Sequence, residues 1–219
     1  MHRVFVTGAT GYIGGRLIPA LCARDNQVIA LARNESRHKI SGGCSIVSGN
    51  ALDANSYGDR VTGADTFIHL VGVSHPSPAK AQAFVEVDLR SGLEAVRVAR
   101  EKGIEHFIYV SVAHPAPTMK AYIEARTSCE KAIRESHLNS TIVRPWYVLG
   151  PGHRWPYALI PFYALAEMFP ATREGARRLG LVTINEMINT LAHAVANPAQ
   201  GVRIIEAPEI RRMGKPAVK

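Results

Sequence analysis

Apolar and polar positions along this chain alternate between two rhythms. Short apolar runs recur at residues 4–7, 28–32, 45–48, 67–71, 107–112 and 141–143. Stretches with helical spacing separate them, at 11–24, 35–40, 54–61, 79–102 and 119–135. Strands that are apolar on both faces and alternate with helices belong to a parallel sheet covered on both sides. The pattern predicts an α/β fold: a doubly wound parallel sheet with a ligand crevice at the carboxyl ends of its strands.

After Gly150-Pro151-Gly152 the texture changes. Residues 155–169 are rich in aromatics and proline, among them Trp155, Tyr157, Phe162, Tyr163 and Phe169. A basic turn follows, then a strand at 179–182, a helix at 184–196 and a short last strand at 204–205. We expect a dinucleotide-binding domain at 1–152 and a small C-terminal cap or substrate lobe, 153–219, packed on it. A lipid-facing helix at 155–169 would want a basic polar face, and its one charge is Glu167. Core packing, or an apolar wall for a substrate or protein partner, is the better reading.

Composition narrows the classes. The chain has 219 residues, 47% of them hydrophobic, which suits a globular domain with a substantial core. No apolar run is long enough to span a bilayer. The sequence enters a strand at once, leaving no room for a leader, so a cytoplasmic location is expected. Cys22, Cys44 and Cys129 are scattered and read as buried or free thiols. The nine histidines lack metal-ligand spacing, and no metal is expected. His69 and His75 read as structural or loop residues, His75 being the better functional candidate of the two. The net charge of +8 is dispersed, apart from Arg177-Arg178 and a tail with Arg211, Arg212, Lys215 and Lys219. No aromatic platform interleaves with it, so nucleic acid is disfavoured, whereas an anionic cofactor fits.

The chemistry begins in the first loop. The run Val4-Phe5-Val6 leads into Thr7-Gly8-Ala9-Thr10-Gly11-Tyr12-Ile13-Gly14. Gly8 would let the chain turn off the strand, Gly11 would leave room for a diphosphate, and Gly14 would let the helix sit close to the sheet. The helix N-terminus adds free N–H groups and partial positive charge. The second strand ends at Arg33, with Arg37 a turn later, where NAD enzymes carry an acid. A guanidinium there suits the 2′-phosphate of NADP, which is favoured over NAD.

The G-x-x-G-x-x-G spacing with Thr-Gly at its head resembles the short-chain dehydrogenase/reductase superfamily, in its extended and atypical branches (NAD-dependent epimerase/dehydratase-like). Arg144-Pro145 followed by Gly150-Pro151 is similar to a second stretch of those branches, which passes beneath the nicotinamide. The resemblance implies a Rossmann fold and cofactor contacts at Gly8, Thr10, Gly11, Tyr12, Ile13 and Gly14. Further contacts are implied at Arg33, Arg37, Asn50 and Ala51, at Leu70, Val71 and Gly72, at Tyr122 and Arg126, and at Pro145 and Trp146. At Asn50 the family carries an acid for the adenine amino group, and an amide oxygen can still accept that bond. Asp53 reads instead as the cap of the next helical turn.

The same resemblance implies a catalytic set. A serine ends the fifth strand and a Tyr-x-x-x-Lys motif opens the next helix. Ser111 and Tyr122 fit these places, while position 126 is arginine. Residues four apart share a helix face, so a cation there can stabilise a phenolate and reach the nicotinamide ribose. Arginine keeps the charge but is planar and differently aimed. Two readings follow. One is an NADP-binding reductase-like protein passing hydride to or from a small carbonyl or alcohol, with Tyr122 as acid–base, Arg126 as its electrostatic partner and Ser111 orienting the substrate. The region after Gly152 is short for a nucleotide-sugar. The other is a silent cofactor-binding regulator, redox sensor or assembly subunit, which the arginine favours.

Overall fold

The computed structural model describes residues 1–152 and 158–214. Trp155, Pro156, Tyr157, Lys215 and Lys219 lie outside the described residues. Seven parallel strands form the sheet: β1 Arg3–Thr7, β2 Gln27–Ala32, β3 Ser45–Ser48, β4 Thr66–His69, β5 His106–Val110, β6 Ser140–Arg144 and β9 Val202–Glu206. Their order is β3-β2-β1-β4-β5-β6-β9. A two-stranded parallel pair, β7 Val148–Leu149 and β8 Val182–Thr183, stands apart.

Burial explains the strands. Phe5, Phe67 and Phe107 occupy one register row across β1, β4 and β5, and all are fully buried. Their rings meet edge to face, at 5.2 Å and 5.4 Å. Two apolar layers cover the sheet. One holds α1 (Gly14–Cys22) and α8 (Ile184–Ala196), with Leu17, Ile18, Leu21, Met187 and Leu191 inside. The other holds α2 (Gly58–Val61), α4 (Arg90–Glu101) and α5 (Lys120–Glu135).

Several expectations need correction. The stretch 79–102 is not one regular helix. It runs through a 3-10 turn Pro78–Lys80, a short α3 (Ala81–Ala83) and a π-helical segment Phe84–Leu89 before α4. The basic turn is a helix, α7 (Pro170–Arg178), and the strand expected at 179–182 is β8, starting at Val182. A further helix, α9 (Ala207–Met213), follows β9. Core packing does not hold for the described part of 155–169. Its helix, α6 (Ile160–Met168), buries no residue. Four of its apolar side chains, Ile160, Phe162, Leu165 and Met168, are exposed, and α6 packs chiefly on α7.

Candidate functional site

The chain runs outward from β1 to β3 and returns beyond β1 to β4, so the crevice opens between the carboxyl ends of β1 and β4. A cleft of about 330 Å³ lies there. The first loop contributes Gly8, Thr10 and Gly11. The end of β2 contributes Leu31, Ala32 and Arg33, and the end of β3 Gly49, Asn50, Ala51 and Leu52. Leu70, Val71, Gly72 and Ser74 close the β4 side.

The loop geometry follows from its glycines. Gly8 has φ +75°, and a Cβ there would lie 2.7 Å from the Leu70 carbonyl carbon. Gly14 is equally confined: a Cβ would come within 2.9 Å of Ala9 Cα. The loop therefore presses its backbone onto the end of β4 and draws α1 onto the sheet. Helix α1 has no side-chain cap and no acid in its first turn, so its N-terminus suits an external anion. Tyr12 and Ile13 sit at that entry without lining the cleft. Tyr12 carries the Arg16 guanidinium 4.3 Å above its ring.

At the cleft's far wall, Arg33 is solvated and lies 3.3 Å from Glu35. Arg37 is exposed on the 3-10 turn Asn34–Lys39 and is not part of the lining. Asn50 lines the cleft, but its Oδ1 accepts the Leu52 amide at 3.0 Å. Asp53 accepts the Asn55 amide, which caps the turn as its position suggested. His69 is fully buried and bonded to Thr7 and Ser91, a structural residue. Desolvation by burial, reinforced by the Arg126 charge, pushes it down to about 3, so it stays neutral. His75 is exposed, with φ +51°, and its carbonyl accepts from Lys80.

Behind Gly72 lies a buried ion pair. The Arg126 guanidinium meets the Asp88 carboxylate at 2.6 Å, and both side chains are almost fully buried. It also donates to the carbonyls of Val110 (2.8 Å) and Val71 (3.3 Å), bridging the ends of β5 and β4. A side chain at position 72 would begin where Arg126 Nη2 lies, which gives Gly72 a second reason to be glycine. Burial pushes the Asp88 carboxyl up from its ordinary value, and Arg126 and the Val73 amide oppose that shift. The π-helical segment carries Asp88, and such turns often mark functional sites.

Tyr122 is half-buried beside this pair. Its ring lies 5.2 Å from the Arg126 guanidinium carbon and 5.0 Å from the Phe84 ring. The i, i+4 spacing thus brings tyrosine and cation together. Ser111 faces another partner: its hydroxyl donates to Glu130 at 2.6 Å. Arg144 clamps the same carboxylate with two hydrogen bonds, and His114 lies 3.7 Å from it. Burial draws Glu130 upward, yet the bonds from Arg144 and Ser111 outweigh it and hold the carboxyl below its ordinary value. Pro145 is buried, while Trp146 and Tyr147 are half-buried with rings 5.6 Å apart.

Asp88, Glu130 and Arg144 escaped the sequence reading as partners. A signal existed: Arg126 and Glu130 sit on the apolar stripe of α5 with Ala125, Cys129 and Ile133. Charges on a buried stripe require counter-charges elsewhere in the fold.

A glycine loop at a sheet's switch point, with an uncapped helix behind it, defines a dinucleotide-binding protein of the short-chain dehydrogenase/reductase type. Residues 8–155, about two thirds of the chain, match the NAD(P)H-binding family, and the chain belongs to it. It is similar to a ceramide reductase of Caulobacter vibrioides, 24% identical over 96% of this chain and 66% of that protein. It is also similar to the photosystem II assembly factor Ycf39 of Synechocystis, 23% identical over 65% of this chain and 44% of that protein. The chain spans about half to two thirds of the length of the curated relatives that head the comparison. Among solved structures it shares its fold with the Bordetella bronchiseptica enzyme WbmH in complex with NAD+, at TM-score 0.71 and 18% identity, covering 94% of this chain and 76% of that one.

Proposed function

We propose that this chain binds NADP in preference to NAD and serves as a reductase for a carbonyl compound. The observation that carries the cofactor choice is Arg33. It ends β2 on the cleft wall, where a carboxylate would favour the ribose hydroxyls of NAD. Gly8 and Gly11, with the start of α1, would hold the pyrophosphate, and Asn50 with Ala51 would face the adenine. When bound, the dinucleotide supplies hydride. Tyr122 would hold or release the proton at the substrate oxygen, with the Arg126 guanidinium beside its ring. Ser111 gives its own proton to Glu130, so its oxygen would accept from the hydroxyl of the alcohol product and would not donate to the carbonyl. The ceramide reductase resemblance supports a reductase with a lipophilic substrate.

A second reading is a silent cofactor-binding regulator or assembly subunit. It is favoured by the commitment of Arg126 to Asp88, which draws the guanidinium away from a ribose. The resemblance to a photosystem II assembly factor points the same way. Fluorescence titration with NADPH and NADH, then carbonyl reduction assays with Tyr122→Phe, separates the two. We expect Arg33→Ala to weaken NADPH about tenfold and NADH far less, the scale of one charge-assisted hydrogen bond. Equal loss for both nucleotides would refute the 2′-phosphate assignment. Tyr122→Phe should abolish turnover while leaving NADPH affinity intact. Tight binding without any Tyr122-dependent turnover would establish the regulator.

A further inference from the structure

Helix α6 is nine residues long and turns its apolar side chains to solvent. Phe162 is 67% exposed, Leu165 54% and Met168 71%, with Phe169 at 57% just beyond the helix. Spacings of three and four place Phe162, Leu165, Met168 and Phe169 on one side. Tyr163 points the other way: it is half-buried near Trp146 and Tyr147, and burial pushes its hydroxyl up. The helix thus has an inner side against the Trp146–Tyr147 wall and an outer side with no protein cover among the described residues.

The basic face that α6 lacks is supplied by α7. Arg173 donates to the carbonyls of Glu167 and Met168, which sets its guanidinium at the apolar end of α6. Arg177 lies 3.9 Å from Glu167, the one acid of α6. Helix α7 carries three arginines against one acid, Glu174. Apolar side chains with arginines at their edge suit a lipid interface, where the rings and Met168 enter the acyl boundary and the guanidinium groups meet phosphates.

We propose that the α6–α7 hairpin docks the protein peripherally on an anionic phospholipid bilayer. A second copy of the chain fits less well. A nine-residue helix is about 14 Å long and about 10 Å wide, whereas a stable dimer buries about 800 Å² on each partner. A bilayer needs no matching area and attracts a chain of net charge +8. Docking through the outer side would leave α6 between the lipid and the Trp146–Tyr147 wall, whether or not the site turns over.

Flotation with vesicles of phosphatidylglycerol and phosphatidylcholine tests this, with phosphatidylcholine vesicles alone as the comparison. The protein should float with the anionic vesicles and largely stay behind with the neutral ones. The double variant Phe162→Ser/Met168→Ser alters only exposed side chains and should lower anionic binding by about tenfold or more. Arg177→Gln should lower it by a smaller factor. NADPH titration of the same preparations keeps this result separate from the cofactor assignment. Absence of flotation, equal binding to both vesicle types, or unchanged binding by the double variant overturns the proposal. A dimer in sedimentation velocity that the double variant dissolves would assign the face to a second copy and overturn it equally.

Discussion

Arg126 is the residue where two demands meet. Its guanidinium balances Asp88 in the interior and also lies beside Tyr122. Removing one member of a buried pair strands the other, which typically costs about 3–5 kcal/mol. We therefore expect Arg126→Met to destabilise by about that amount, and Arg126→Met/Asp88→Leu to recover part of it. Urea unfolding of both variants checks the pair; equal stability of single and double variants would mean that the ion pair is not what holds the site. Glu130 gives a pH signature. Its folded value lies below its ordinary 4.5, so its stabilising contribution is complete above pH 4.5 and fades as acid takes pH through the folded value. Glu130→Gln should cost about 3 kcal/mol at pH 7, with the gap to the parent closing below pH 4.5. Unfolding curves across that range read it directly. Of this site, the tyrosine, the serine and the cation were legible, since they lie at fixed spacings in the chain. Their counter-charges were not, because Asp88 and Arg144 reach the α5 stripe from other elements.

Helix α8 shows which elements a sequence declares plainly. It was expected at 184–196 and runs Ile184–Ala196. Thr183 accepts the Glu186 amide at 3.2 Å, while Glu186 accepts the Thr183 amide at 2.7 Å. A capping box of this kind fixes the helix start from both sides. Thr183→Ala should lower stability by about 1 kcal/mol, measured as a shift in thermal midpoint, and Thr183→Ser should retain most of it. No change on Thr183→Ala would mean that Glu186 alone holds the helix start. Helices α6 and α7 lacked such marks. Helix α6 has no buried face for periodicity to report, and α7 buries only Ala176. The break at Phe84–Leu89 was hidden for a related reason: a π-helical turn shifts the face by one residue without any glycine or proline to announce it.

The molecule as a whole followed its pattern because the five inner strands of the main sheet, β1, β2, β4, β5 and β6, are enclosed. Burial on both faces leaves an apolar run that few other architectures would tolerate. The placement of the last strand had no such local mark: β9 pairs with β6, Thr141 beside Arg203. These partners are 62 residues apart in the chain. On the ribosome β6 is made well before its neighbour, with α6 and α7 emerging in between. Its open edge must wait, with backbone donors and acceptors free to recruit another strand. Crowded synthesis, rather than the finished fold, is therefore where this protein is most exposed to mispairing.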